Sequence, residues 1–485
     1  MVEIVKLLAR PLPIDPITLK ATAINLIGAS RPHMRAFHFS WVSFMVAFFG
    51  WFAIAPLMPS IKKSLGLTKE NVNDSNIISV SSTILFRIVA GLLCDRLGPK
   101  RVMGIILILG SIPVGLAGLA HDLTSFLIVR FFIGALGATF VPCQFWTMQM
   151  FGPNAVGSAN AIVGGWGNMG AGITYLLMPV VFEGFKHHFD DNINIAWRVT
   201  LVIPAIIIFI VGIGDLIFTD DVPQGKWEQR NDYSKNNGDL PVKEVHDAAE
   251  SEKKSGNLNE VVDDVDSEKN IKVSPHVKPG LEAYIRALIN PNVIILMFMY
   301  ACSFGVELAV DNAIGSFYHE HYNLTQTKAD LIGSIFGLMN FFSRASGGFI
   351  SDILFSKYSI RGRLFFQFVI LLLEGVFLSI FKLSLGTIPQ SIVVLVLFSY
   401  FVQACCGTTY AIVPFVDPPI SGTISGLVGA GGNVGGLIWA YVFRRYTHET
   451  PQAFLIIGLC VLGISFSTFL LRVQGRMLIE FGRKK

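Results

Sequence analysis

Residues 86–95 read FRIVAGLLCD and residues 343–352 read SRASGGFISD. In each, an arginine (Arg87, Arg344) sits inside a long apolar run, and an aspartate (Asp95, Asp352) follows eight residues later. A guanidinium at the centre of a membrane helix costs about 2.5–3.5 kcal/mol on insertion scales. Two such charges at matching places ask for a functional reason. They also decide the fold, because each run belongs to a series of apolar stretches near the length that spans a bilayer, about 20 residues.

The surrounding composition agrees. The 485 residues are 52% hydrophobic and 15% charged, with a mean hydropathy of +0.56, whereas charged residues make up about a quarter of a soluble domain. An ordinary soluble enzyme is excluded. Twelve spans are expected, at residues 39–60, 76–94, 102–120, 124–150, 158–183, 198–218, 292–316, 330–351, 364–385, 389–415, 420–443 and 453–472. An even count puts both termini on one side. Placing that side in the cytoplasm puts most of the 38 Lys and Arg residues inside, as membrane topology favours. Lys62, Lys63, Lys69, Arg444 and Arg445 run against the bias, and Arg87, Arg130, Arg198 and Arg344 lie within spans. The sequons at Asn73 and Asn323 fall in loops assigned outside. Residues 1–38 are polar, basic and proline-punctuated, without the apolar core of a cleavable signal. The six cysteines (Cys94, Cys143, Cys302, Cys405, Cys406, Cys460) all lie in apolar runs without zinc-like spacing. Neither a disulfide framework nor a metal site is expected, and no cofactor.

The chain divides into a tail (1–38), a six-span bundle (39–219), a polar linker (220–291), a second six-span bundle (292–473) and a tail (474–485). The linker cannot bury enough apolar surface to fold by itself. It reads as a flexible cytoplasmic connection, the competing reading being a regulatory segment phosphorylated by a kinase at serines such as Ser251 or Ser267, which stand among acidic residues. The halves repeat each other: VGGWGNMG (163–170) in span 5 has its counterpart in VGAGGNVG (428–435) in span 11. Gly164, Asn168 and Ala171 share one helical face, as do Gly429, Asn433 and Gly436. Small residues let helices approach closely, and an amide can hydrogen-bond across the interface. The signature glycines are Gly164, Gly165, Gly167 and Gly170, then Gly429, Gly431, Gly432 and Gly435. Close packing accounts for them, but it does not call for a carboxamide in both copies.

Between spans 2 and 3 the run Gly91-Leu-Leu-Cys-Asp95-Arg96-Leu-Gly98-Pro-Lys100-Arg101 closely resembles the gating loop of the major facilitator superfamily. A carboxylate and cations at helix ends can latch one face of the protein. The second copy keeps Gly348, Asp352, Arg361 and Arg363 in degraded form. Arg130 and Gly134 in span 4 and Trp197-Arg198 before span 6 also resemble superfamily features and read as structural. A duplicated six-helix unit with substrate held at the interface of the halves is that superfamily's plan.

Within the superfamily, GWGNMG and AGGNVG together resemble the paired signature of the nitrate/nitrite porters, over both halves of the chain. The resemblance implies that Arg87 and Arg344 clamp a flat oxyanion between aromatic rings, here Phe140, Tyr300 and Phe304, with Asn168 and Asn433 beside them. The chemistry fits independently. A guanidinium fork pairs two oxygens of a planar anion as a lysine point charge cannot, and rings above and below select against tetrahedral sulfate or phosphate. Glu307 and Asp311 continue the Tyr300 face of span 7, and an intramembrane carboxylate is a proton-relay candidate. Structural pairing of Glu307 with a neighbouring helix is the alternative. Glu374 in span 9 has no assigned role.

The expectation is therefore an all-α membrane protein of the major facilitator fold, with twelve transmembrane helices in two pseudo-symmetric six-helix bundles. It would be a plasma-membrane importer of nitrate, and of nitrite, working by alternating access in symport with protons. Nitrate/nitrite exchange, nitrate sensing without flux, and transport of another small organic anion are the competing readings. The long linker resembles fungal members. The short tail after the last span, compared with plant members that need a single-span accessory protein, implies no obligatory partner. Nucleic acid is not a partner.

Overall fold

The computed structural model describes residues 12–16, 18–228, 281–446 and 449–479. The first half contains α1 (His33–Phe52), α2 (Met58–Leu65), α3 (Lys69–Leu97), α4 (Pro99–Leu116), α5 (Leu123–Ile133), α6 (Phe140–Met150), α7 (Val156–His188), α8 (Ile193–Thr200) and α9 (Val202–Phe218). The second contains α10 (Leu281–Ile289), α11 (Pro291–His321), α12 (Gln326–Leu338), α13 (Ser343–Phe381), α14 (Ile388–Ile412), α15 (Ser421–Arg445) and α16 (Thr450–Ser465). Each expected span falls on helix. Nine stretches among the described residues are long and apolar enough to cross a membrane. One of these, residues 331–384, carries two expected spans, broken inside α13 at Ser359 (φ 55°, ψ −150°). The two spans outside the nine fall on α1 and α7, where glycine, serine, histidine and asparagine dilute the apolar residues.

Local chemistry sets the ends. Thr68 and Asp122 cap α3 and α5 through reciprocal boxes with Asn71 and Ser125, satisfying backbone donors that would otherwise be orphaned. Gly98, at φ 86°, separates α3 from α4, with Pro99 at the first position of α4. A left-handed backbone there favours glycine. A 3₁₀ turn (Gly134–Thr139) joins α5 to α6 within span 4.

Packing repeats across the halves. In the first half α7 lies against α1, and in the second α15 lies against α11. Between halves α3 packs on α15, and the first part of α13 packs on α7. The glycines explain the closeness. A Cβ on Gly435 would sit 2.5 Å from the Ala301 backbone, one on Gly431 2.8 Å from Met297, and one on Gly170 3.1 Å from Phe48. Lipid tails supply no hydrophobic drive between helices, so this contact area holds them.

The expected boundaries shift. Helix α1 begins at His33, and the segment before it is tied to the first bundle at Lys20 and Ala21: Ala21 N donates to Met150 O (3.0 Å), Gly152 N to Ala21 O (2.8 Å) and Lys20 Nζ to Met148 O (2.7 Å). Both ends of the expected linker are folded. Residues 220–228 pack under the first bundle, with Trp227 buried against Phe145 (ring centroids 5.6 Å). Residues 281–289 form α10, tied by Arg286 to Asp417 (2.7 Å). Composition averaged over the stretch hid these anchors. Ser251 and Ser267 lie outside the described residues. After the last helix, β1 (Arg472–Val473) pairs with β2 (Arg476–Met477), and Arg472 N donates to Asn292 at the start of α11 (2.8 Å). The first and last described segments therefore meet the face that carries residues 220–228, called the linker face below. The six cysteines are unbonded, all buried except Cys460.

Candidate functional site

Arg87 and Arg344 are 0% and 2% exposed. Arg87 projects from α3. Its Nε donates to Gly137 O (3.0 Å) in the 3₁₀ turn and its Nη1 to Gly429 O (2.8 Å) on α15, across the interface of the halves. One turn earlier Thr83 Oγ1 donates to Gly134 O (2.6 Å), so the same turn anchors both side chains. The Arg87 guanidinium stands over two rings, 5.0 Å from the centroid of Phe140 and 4.9 Å from that of Phe304. Its Nη2 is buried without a hydrogen-bond partner.

Arg344 is held differently. Its Nη2 lies 2.5 Å from Glu307 Oε2 on α11. The Asn168 amide oxygen accepts from both terminal nitrogens, at 2.9 and 2.8 Å. Asn340 Nδ2 donates to Glu307 Oε1 (2.6 Å), and the Cys406 thiol lies 3.5 Å from Oε2. A Cβ on Gly164 would approach Arg344 Nη1 to 3.3 Å, and one on Gly429 would approach Arg87 Nη1 to 3.5 Å. The two glycines leave matching room for the two arginines.

Phe140, Tyr300 and Phe304 form parallel walls. Phe140 is 6.0 Å from Tyr300 (17° between planes) and 6.1 Å from Phe304 (11°), and Tyr300 and Phe304 stack at 5.1 Å (6°). A flat ion touching a ring on each side, at roughly 3.5 Å per contact, needs about 7 Å. The centroid distances bound the gap from above, so the walls must part by at least about 1 Å to receive one. Tyr410 closes the end edge-on, 4.8 Å from Phe140 and 4.9 Å from Tyr300, with its hydroxyl donating to Ser425 O (2.9 Å). Phe304, over which Arg87 stands, and Glu307, which binds Arg344, lie on the same helix α11 within one turn, so the two cations face one chamber.

The sequence-derived candidates separate accordingly. Arg87, Arg344, Phe140, Tyr300, Phe304, Asn168 and Glu307 come together. Gly432 packs on Tyr300 and Phe304, and Gly165 on the Asn340 backbone. Gly167 packs on Phe44, which backs the Phe140 wall (ring centroids 5.4 Å). Asn433 is fully buried with neither side-chain atom hydrogen-bonded, so it is not the equivalent of Asn168. Asp311 is half-buried and makes no hydrogen bond among the described residues. Tyr410, Asn340 and the carbonyls of Gly137 and Gly429 were not anticipated. Tyr410 is one aromatic in a chain with 12% aromatics, and backbone carbonyls leave no signature in a sequence. Arg130 binds Asn76 (2.6 Å) and Arg198 binds Gly118 O, neither in the chamber.

At the linker face two carboxylates occupy pseudo-equivalent helix N-termini. Asp95 accepts from Gly422 N (3.1 Å), Thr423 N (2.7 Å) and Thr423 Oγ1 (2.6 Å) at the start of α15. Asp352 accepts from Gly157 N (3.1 Å), Ser158 N (2.6 Å) and Ser158 Oγ (2.6 Å) at the start of α7. Each carboxylate bonds free backbone donors at the positive end of a helix from the other half. Arg363 adds a 2.7 Å ion pair to Asp352. Lys100 Nζ donates to Thr219 O (2.7 Å), and Arg101 pairs with Glu228 (2.7 Å), both within the first half. With charged hydrogen bonds worth roughly 1.5–3 kcal/mol, Asp95→Asn is expected to open the linker face by roughly tenfold or more in population. Labelling of the buried native Cys94 by an impermeant maleimide, read by peptide mass, measures this. Unchanged Cys94 protection would show that the latch does not hold the face closed.

Residues 219–228 clasp the same loop. Asp221 accepts from Lys100 N (3.1 Å), and Trp146 Nε1 donates to Asp220 O (2.9 Å). Burial pushes the Asp221 carboxyl up to about 6, against the pull of Lys100 and Arg101. A value raised above that of an exposed aspartate, about 3.9, means that docking is favoured while Asp221 is protonated. The contribution is full below about pH 4 and lost as pH rises through 6, a change of about 3 kcal/mol. Acrylamide quenching of Trp227 is expected to increase between pH 5 and pH 7. Asp221→Asn should flatten that profile.

A model described as Major Facilitator Superfamily matches residues 40–440. High-affinity nitrate transporter 2.3 of Oryza sativa subsp. japonica is 35% identical over 461 residues, covering 95% of this chain and 81% of its own. High affinity nitrate transporter 2.5 of Arabidopsis thaliana is 36% identical over 444 residues, with coverages of 90% and 80%. Nitrate/nitrite transporter NrtP of Nostoc punctiforme is 28% identical over 464 residues, with coverages of 89% and 91%. Among solved structures, the proton:xylose symporter XylE superposes with a TM-score of 0.65 at 11% identity (92% of this chain, 97% of that one). The E. coli fucose:proton symporter FucP superposes with a TM-score of 0.62 at 13% identity (90% and 98%). These two share the fold.

Proposed function

Since the chain belongs to the major facilitator superfamily and, within it, to the nitrate/nitrite porter family, a family of transporters rather than enzymes, we propose that it imports nitrate, and nitrite, in symport with protons. The observation that carries this reading is the unequal pair of buried arginines. Each guanidinium keeps one unpartnered nitrogen, Nη2 of Arg87 and Nε of Arg344, but Arg87 stands over two parallel rings with its bonds going to backbone carbonyls, while Arg344 is paired with Glu307. The names of the relatives supply the substrate.

The coupling follows from charge. Arg87, Arg344 and ionised Glu307 leave one net positive charge, the complement of one monovalent anion. For both forks to grip nitrate, Arg344 must let go of Glu307, and a buried carboxylate stripped of its cation costs several kcal/mol. A proton on Glu307 removes that cost. Anion and proton then load together. On release of the anion, Arg344 and Glu307 pair again and the proton is expelled. Parting of the ring walls would accompany loading, and the Asp95 and Asp352 latches would open as the halves rock about the site. Taking the linker face as cytoplasmic, the closed latches belong to a state shut toward the cytoplasm, with both termini inside and the protein in the plasma membrane.

Uptake into proteoliposomes under imposed pH gradient and potential tests this with nitrate, nitrite, sulfate and chloride. Nitrate and nitrite should accumulate when the outside is acidic, and sulfate should not. Absence of nitrate flux under every gradient would overturn the substrate reading. Uptake that needs nitrite on the far side and ignores the pH gradient would mark an exchanger.

A further inference from the structure

A second 3₁₀ turn, Met339–Phe341, joins α12 to α13 within span 8. Its middle residue, Asn340, stands four residues before Arg344 and is 2% exposed. The residue at the same place before Arg87 is Thr83, whose hydroxyl donates to the backbone carbonyls of Ser79 and Gly134. Asn340 instead reaches across to α11, where its Nδ2 donates to Glu307 Oε1 at 2.6 Å. An amide oxygen so close to a carboxylate oxygen would be repelled, so the ionised acid fixes which way the amide points. The other amide atom, Oδ1, is buried without a hydrogen-bond partner. The first half grips this turn. A Cβ on Gly165 would sit 2.5 Å from the Asn340 carbonyl oxygen and 3.3 Å from Arg344 Cβ. The next residue of α7, Trp166, stacks on Phe341 (ring centroids 5.7 Å, 9° between planes) and meets Trp41 edge-on at 5.3 Å.

The two charge states of Glu307 ask for different partners. An ionised carboxylate only accepts, whereas a protonated one must also donate its O–H. Among the described residues the Glu307 carboxyl is bonded by Arg344, Asn340 and Cys406. A guanidinium has donors and no acceptor, and a thiol accepts weakly. The Asn168 oxygen is taken by Arg344. Asn340 carries a full acceptor, and rotation about its Cβ–Cγ bond brings Oδ1 to the place now held by Nδ2.

We propose that Asn340 is the positioning residue of Glu307 in both charge states: its amide donates to the carboxylate and, turned over, accepts the O–H of the acid. This rests on the proton-coupled reading above and deepens it. In the loading step a proton from water on the acidic side forms an O–H bond at Oε1. The N–H···O hydrogen bond from Asn340 gives way to O–H···Oδ1, and no covalent bond of the amide breaks. Glu307 then keeps its place while Arg344 turns to the anion. When the anion leaves, the proton returns to water on the other side, the amide turns back, and Arg344 meets the carboxylate where it left it.

Infrared difference spectra of the full-length protein on acidification, with and without nitrate, test this. In wild type carrying isotope-labelled asparagine, a side-chain amide C=O band should move down as Oδ1 takes on the O–H, and the move should be absent from Glu307→Gln. The protonated-carboxyl band, assigned by its loss in Glu307→Gln, should move up in Asn340→Leu, where the O–H has no acceptor. It should return in Asn340→Ser, whose hydroxyl can donate or accept. Transport in proteoliposomes gives a second readout. Leucine removes a hydrogen bond from each charge state, so KM for nitrate should change less than about threefold. The maximal rate of uptake driven by a pH gradient should fall about tenfold, because the carboxyl is unheld once it leaves Arg344, and should recover in Asn340→Ser. A carboxyl band that stays in place in Asn340→Leu overturns the proposal, as does an amide band that does not answer to Glu307. A loss of rate that serine fails to restore would mark a packing role and also overturn it. A wild type that moves no nitrate yet shows both band shifts would sink the nitrate reading alone.

Discussion

Replacing Arg87 with lysine is expected to weaken nitrate binding roughly a hundredfold while leaving the protein folded. The charge survives, but the geometry does not. Arg87 spends Nε on Gly137 O and Nη1 on Gly429 O, and these two bonds aim Nη2 into the chamber. A lysine ammonium is a compact donor that cannot span both carbonyls and still present an in-plane pair to the anion. Two charge-assisted hydrogen bonds at roughly 1.5–3 kcal/mol each set the scale of the loss. Chloride provides the control. A spherical ion gains little from a fork, so its binding should change far less, and the nitrate-to-chloride preference should collapse. Equilibrium binding of both ions to purified wild type and Arg87→Lys decides this. Equal losses for nitrate and chloride would mean that Arg87 acts as charge alone.

The unequal fates of Arg87 and Arg344 show what a sequence can and cannot carry. Both arginines, and Glu307, are visible because a charge in an apolar run has a cost that composition exposes. The glycine faces are visible because i, i+4, i+7 spacing maps onto one side of a helix. Which arginine is neutralised is not visible. That depends on α11 crossing α13 so that Glu307 meets Arg344 at 2.5 Å, a matter of helix packing rather than spacing. The same packing leaves Asn433 without a partner while Asn168 bonds Arg344, although the motifs around them match. The latch repeats the lesson in reverse. The motif around Asp352 is degraded, yet its carboxylate makes the same three bonds as Asp95. Helix N-termini offer backbone donors whatever the side chains around them. Trp227 shows the limit of composition: one aromatic at the edge of a polar stretch was enough to dock its first residues against Phe145.

Glu307→Gln is expected to separate anion transport from proton transport. In the wild type Glu307 holds Arg344 at 2.5 Å, so in the proposed cycle nitrate must displace it and a proton must neutralise it. Glutamine removes the negative charge permanently. It can still accept from Asn340 through its amide oxygen, at the position now taken by Oε1, so the network about α11 keeps an acceptor. Arg344 then no longer has a counter-charge. Nitrate should bind about tenfold tighter, since a buried charge pair no longer has to be broken. Exchange of labelled nitrate should continue, while uptake driven by a pH gradient should fall to the level of passive exchange. Binding isotherms, with paired uptake and exchange assays, read all three quantities. Proton-driven uptake that persists in Glu307→Gln would remove Glu307 from the coupling path, and weaker nitrate binding would show that the carboxylate positions Arg344 rather than competing for it.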